Sequence, residues 1–184
     1  SVGDRRWRRD LDVSEGTLAY RVVDVFTDAA FAGNPLAVVL DGEDLTSDQM
    51  QAIAREFNLS ETTFPIAPVS PDATYRLRIF TPGTELPFAG HPSVGSACVM
   101  RALDRVGDGR LIQECGAGLL PVDVAGDAAT LTGGTPTLGE VVDAVTAAAT
   151  LGLDATDVVG EPAQWAGMGL QFGFLRVRPE ALAR

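Results

Sequence analysis

Two near-identical pentapeptides, FAGNP at residues 31–35 and FAGHP at 88–92, differ at one position, and that position in the second holds the single histidine of the sequence, His91. An imidazole can donate or accept a hydrogen bond and can change charge near neutral pH. The segment behind it, SVGSACVMRAL (93–103), is apolar almost all round, the pattern of a helix buried on every side. Pro92 suits the first turn of such a helix, where its missing N–H costs nothing. Gly83 and Gly90 are read as giving the preceding turn access to positive φ. A helix start of this kind aims unpaired amide groups and the positive end of its dipole outward, an arrangement that favours an anion. His91 therefore has two readings: a hydrogen-bonding group at the edge of an anion site, or a helix cap satisfying a buried carbonyl. FAGNP runs instead into the β-branched stretch LAVVL, so Asn34 is read as a turn residue and nothing more.

The second candidate is Glu61, in LSETTF (59–64) between Leu59 and Thr63. At mid-strand a carboxylate either faces solvent or is held inside. If it is inside, lost hydration raises its pKa and suits it to moving protons near neutral pH. Glu85, in TPGTELPF, is a rival that reads as a structural or solvent-facing turn residue. Cys98 and Cys115 lack CxxC spacing and read as buried, reduced thiols. One histidine among scattered acids predicts no metal site. GMGLQFG (167–173) lacks dinucleotide-binding spacing and enters no helix, so no cofactor is expected.

Composition bounds the remaining classes. The 184 residues carry 14 basic and 25 acidic side chains, net −11, the wrong sign for a nucleic-acid partner. No apolar run approaches the roughly 20 residues of a membrane span. The opening SVGDRRWRRD has arginines but no apolar core after them, so it is not a secretory signal. Residues 1–17 are expected to be a disordered leader, and the protein is expected to be cytoplasmic.

The elements that must position these residues follow from periodicity. LAYRVVDVFTD (18–28) and LAVVLD (36–41) read as a strand pair across Gly33-Asn34-Pro35. Thr46 and Gln49 form a capping box for a helix whose Met50, Ile53, Ala54 and Phe57 share a face and which Asn58 ends. Strands follow over 59–68 and 73–82, the latter with Tyr75, Leu77 and Ile79 on one face and Arg76 and Arg78 on the other. After the buried helix come strands at 110–115, 118–124 and 128–132. Thr137 and Glu140 match a second capping box, predicting a helix to about Leu151 with a stop at Gly152, and 169–179 reads as a last strand. Strands with inserted helices and no regular βαβ alternation predict an α+β protein.

DVFTDAAFAGNPLAVVLD, MQAIAREFNLSETTF and RIFTPGTELPFAGHPSVGSA together resemble the PhzF-like family of phenazine-biosynthesis isomerases over residues 20–105, with LQECGAGLLPV a looser match beyond. The resemblance implies a diaminopimelate-epimerase-like α+β fold: pseudo-symmetric domains, each a curled mixed sheet around a central buried helix, with the active site between them. It implies a first domain over 18–134 and the start of a second over 135–184, the second incomplete. Family members carry a later Gly/Ser-rich segment, with an aspartate and a serine, that this sequence lacks. A homodimer or a second chain is therefore expected to complete the cleft. Residue by residue, the resemblance makes Glu61 the acid/base and Gly90 and His91 substrate-binding. It implies a cofactor-free proton shift on a small aromatic or cyclic carboxylate, the family's reaction being on dihydro-3-hydroxyanthranilate. The alternative is an inactive fragment or a small-anion binding module. An amino-acid epimerase of the same fold is set aside, since it needs a cysteine at each helix mouth where Gly90 and His91 stand.

Overall fold

The computed structural model describes residues 17–160, 162–168 and 170–183, so the expected leader lies outside the described residues except for Thr17. The chain divides into two compact units between Gly133 and Gly134.

In the first unit eight strands form one mixed sheet: β1 (Tyr20–Val25), β2 (Asn34–Val39), β3 (Glu61–Ile66), β4 (Tyr75–Phe80), the short β5 (Glu85–Leu86), β6 (Gly109–Cys115), β7 (Gly118–Ala125) and β8 (Ala128–Leu131). Their spatial order is β1-β2-β3-β4-β6-β7-β8, with β5 paired to β4. The β2–β3 and β4–β6 pairs are parallel and the others antiparallel. Two helices make the parallel crossovers, α1 (Ser47–Phe57) from β2 to β3 and α2 (Gly90–Ala102) from β5 to β6.

The helices lie on opposite faces, and the period-2 alternation of the strands sorts side chains between them. Leu36, Val38 and Leu40 pack with Val99 of α2, whereas Val39, Phe64 and Phe80 pack with Met50 and Ala54 of α1. From β4, Tyr75, Leu77 and Ile79 point to Ala97 and Met100 of α2. Arg78, from the other set, is held outside by Glu85. The sheet curls about α2, which touches β1, β2, β3, β7 and β8. This is why α2 has no polar face: Pro92, Ser93, Gly95, Ser96, Ala97, Val99 and Met100 are all buried. The expected central helix is therefore present in an α+β fold with a curled mixed sheet.

Small polar residues tie α2 to the sheet from inside. The Tyr75 hydroxyl donates to Gln113 Oε1 at 3.0 Å, Gln113 Nε2 donates to Ser93 Oγ at 2.9 Å, and Ser93 donates to the Ala89 carbonyl at 2.9 Å. A second tie joins Ser96 Oγ and Thr63 Oγ1 at 2.8 Å. Burial and the nearby thiols push the Tyr75 phenol far above its ordinary pKa, so it stays a neutral donor. At Gly95 an added Cβ would stand 2.7 Å from both Leu36 Cδ2 and Val25 Cγ2, so glycine is what lets α2 approach β1 and β2.

The second unit holds a three-stranded antiparallel sheet in the order β11-β10-β9, from β9 (Thr137–Val142), β10 (Ala163–Met168) and β11 (Leu170–Phe174), with α3 (Ala144–Thr150) between β9 and β10. The helix expected from Thr137 is thus a strand followed by one short helix. Asp143 caps α3, accepting from the Thr146 amide at 2.8 Å. The Thr137/Glu140 spacing loses because pairing with β10 satisfies the backbone of 137–142. Gly152 ends the helical region at φ +71°, as its position suggested. Among the described residues no helix is long and apolar enough to cross a membrane.

Candidate active site

The mouth of α2 is where the sequence candidates meet. Ala89 is the N-cap and makes no side-chain cap bond, so the helix begins at Gly90 with Pro92 inside its first turn. Neither Gly83 nor Gly90 has positive φ, which corrects the expectation that they give the turn before α2 that conformation. A Cβ at Gly90 would meet nothing within 4 Å. Packing therefore does not demand glycine there, and the position a side chain would take is open.

Glu61 is the first residue of β3 and pairs with Leu36 of the parallel strand β2. This register sets the starts of β2 and β3 side by side, so Asn34, Ser60 and Glu61 gather at one end of the sheet beside the α2 mouth. Glu61 Oε2 lies 3.2 Å from His91 Nε2, with the two side chains only 17% and 10% exposed. The atoms are close but not aligned, and each is buried without a hydrogen-bond partner. Such unsatisfied buried atoms are rare in folded proteins and each costs about 1–3 kcal/mol. The carboxylate oxygen and the imidazole nitrogen face each other in this state across 3.2 Å. Burial pushes the His91 imidazole below its ordinary pKa, against the opposing pull of the Glu61 charge, so the ring is neutral at pH 7.

His91 is not a helix cap satisfying a carbonyl. Its Nδ1 faces Asn34 Nδ2 at 3.1 Å, and Asn34 Oδ1 accepts from the Ser60 hydroxyl at 3.2 Å. The residues that distinguish the two pentapeptides are thus bonded to each other across 57 positions of sequence, and Asn34 is more than a turn residue. The repeat was the signal that could have found this contact. The glycines of the repeat differ in role. A Cβ at Gly33 would stand 2.6 Å from the Val25 carbonyl oxygen, whereas Gly90 faces open space. Pattern reading also passed over Phe26 and Phe31, at φ +63° and +66° in the loop before Asn34. Their side chains are exposed, Phe31 at 98%. Left-handed backbone at aromatic residues is strained and marks the loop as held in place.

The rival carboxylate plays a different part. Glu85 is bound by Arg78 through Nε at 2.8 Å and Nη2 at 2.7 Å, a bidentate pair at the surface, and this bonding raises the Arg78 guanidinium further. Cys98 and Cys115 are free thiols, only partly buried. Cys98 donates to the Asp127 carbonyl at 3.4 Å, and burial pushes its pKa up, which disfavours the thiolate. Among the described residues no group of three or more His, Cys, Asp or Glu could hold a metal ion.

A family model described as phenazine biosynthesis-like protein matches residues 23–181. An uncharacterized isomerase of Mesorhizobium japonicum is 59% identical over 87 residues, covering 47% of this chain and 29% of that protein. The trans-2,3-dihydro-3-hydroxyanthranilate isomerase of Pseudomonas aeruginosa is 46% identical over 102 residues, covering 55% of this chain and 36% of that protein. Among solved structures, a protein described as a predicted epimerase of Pseudomonas aeruginosa superposes with a TM-score of 0.80 at 34% identity, covering 91% of this chain and 62% of that one. The matches span about a third of the curated relatives' length and under two thirds of the solved chain. The chain belongs to the phenazine biosynthesis-like family.

Proposed function

We propose that this family member is an isomerase scaffold that shifts a proton within a small aromatic or cyclic carboxylate, with Glu61 as the acid/base. The observation that carries the reading is the pair of buried, unpartnered atoms, Glu61 Oε2 and His91 Nε2, 3.2 Å apart at the mouth of α2. The substrate carboxylate takes the uncapped amides of the helix start, where the dipole favours negative charge, and the missing Cβ of Gly90 gives it room. The Glu61 carboxylate removes a proton from carbon, the C–H electron pair moves into the conjugated system, and the Glu61 carboxyl returns the proton to a different carbon. Atoms and electrons balance within the substrate, so no oxidant or reductant is consumed. His91 holds its N–H toward the reacting region and steadies negative charge as it develops.

The name of the Pseudomonas relative supplies the probe. Incubated with trans-2,3-dihydro-3-hydroxyanthranilate in D2O, the protein is expected to incorporate deuterium into the product. Glu61→Gln should lower that rate about 10²–10⁴-fold, the usual worth of a positioned acid/base. Wild-type rates in the Glu61→Gln protein would remove Glu61 from the chemistry. Binding of the carboxylate without any exchange would make the chain a small-anion binding module instead.

A further inference from the structure

We propose that Asn34 is a positioning residue that fixes which nitrogen of His91 carries the proton, holding the ring with its N–H on Nε2, the nitrogen nearest Glu61. The inference rests on the reading of Glu61 and His91 as the working pair, and adds a residue from the other pentapeptide to it.

A neutral imidazole carries one proton and must place it on Nδ1 or Nε2; the partner of one nitrogen decides the state of the other. Asn34 offers a donor at one end of its amide and an acceptor at the other. Its Oδ1 accepts from the Ser60 hydroxyl at 3.2 Å, and its NH2 group faces His91 Nδ1 at 3.1 Å. Nδ1 then accepts, so the ring proton sits on Nε2. The opposite side of the ring agrees: Nε2 lies 3.2 Å from Glu61 Oε2, and a carboxylate oxygen favours an N–H there over a lone pair. Reversing the amide would put the proton on Nδ1 and set two acceptors against each other at that distance. Ser60, Asn34 and His91 thus form a directed chain that leaves the N–H on the ring nitrogen 3.2 Å from Glu61 Oε2.

The single histidine of the sequence makes the test unambiguous. With 15N-labelled histidine and no substrate, ring 1H–15N correlation spectra at pH 7.5 report one imidazole. The expected wild-type pattern is a protonated Nε2 and a bare Nδ1. In Asn34→Asp the new carboxylate can only accept, so Nδ1 is expected to become protonated, in the neutral ring or the imidazolium. In Asn34→Ala the preference should collapse to a mixture of both tautomers. A wild-type ring protonated on Nδ1 would overturn the proposal, as would variants that keep the wild-type pattern. Should neither variant fold, the wild-type spectrum alone decides. Deuterium exchange separates this from the functional reading. Asn34→Asp should slow exchange at least tenfold, since a wrong tautomer disables an acid/base pair. A reversed ring with unchanged exchange would uphold the role of Asn34 and count against His91 in the reaction.

Discussion

Replacing Glu61 with glutamine keeps the shape of the side chain and removes its charge, which separates what the carboxylate does for chemistry from what it costs the fold. The native carboxylate is 17% exposed, its Oε2 has no hydrogen-bond partner, and the ring beside it is neutral because burial lowers the His91 pKa. A buried acceptor without a partner costs about 1–3 kcal/mol, more when charged. A neutral amide keeps part of that cost and sheds the charged part. The variant is therefore expected to be as stable as the parent or more stable by up to ~2 kcal/mol. A chain of this size shifts by roughly 2–4 °C per kcal/mol, so the melting temperature should stay level or rise by up to about 8 °C. Circular-dichroism melts of both proteins at pH 7.5 measure it. A fall of more than about 1 kcal/mol would mean that the Glu61 charge holds a protonated His91 in an ion pair. The neutral-ring account would then fail, whatever happens to turnover.

Gly90→Ala places a methyl where nothing stands within 4 Å, so stability should hold or gain about 0.4–1 kcal/mol, while calorimetric affinity for a carboxylate ligand falls about tenfold; unchanged affinity would take Gly90 out of the site. Gly95→Ala drives a Cβ to 2.7 Å from the buried Leu36 and Val25 side chains and should cost about 1–3 kcal/mol as overpacking, read as a lower urea midpoint at constant slope; an unshifted midpoint would contradict that close approach. Because the folded pKa of His91 is lowered, the unfolded chain binds more protons below about pH 6.5. Stability is then intact above that pH and is lost as pH falls toward the folded value. Urea midpoints between pH 7 and 5.5 should decline in the parent and flatten in His91→Gln, and equal slopes would refute the burial argument. The carboxyls of Asp108, Glu114 and Asp143 are also lowered, but they titrate below this window.

Local chemistry made much of the first unit legible. The Thr46–Gln49 capping box is present in full and Asn58 ends α1 in the left-handed region at φ 51°, because both signals need only neighbours in sequence. Strand β4 alternates as its residues demand. The second unit was harder to read. Thr137 and Glu140 carry capping-box spacing yet lie in a strand, and AQWAGM of β10 offers Ala and Gly where strand signals need β-branched residues. Both segments are strands because of partners distant in sequence. The site divides in the same way. Resemblance picked out Glu61, Gly90 and His91, and the structure brings Glu61 to the His91 ring. Asn34 escaped because its partner His91 lies 57 positions away on α2, and only the repeated pentapeptide, not a local pattern, links the two.

The inner ties of α2 have a further consequence. Ser93 and Ser96 are each bonded to groups on different strands, one through Gln113 to Tyr75 and the other to Thr63. Sliding the helix along its axis, or rolling it about that axis, would break both at once and strand buried polar groups. The tip of the helix is therefore a fixed stator whose position is inherited from the strands around it. On the proposed reading, a carboxylate bound there spends none of its affinity on ordering that wall.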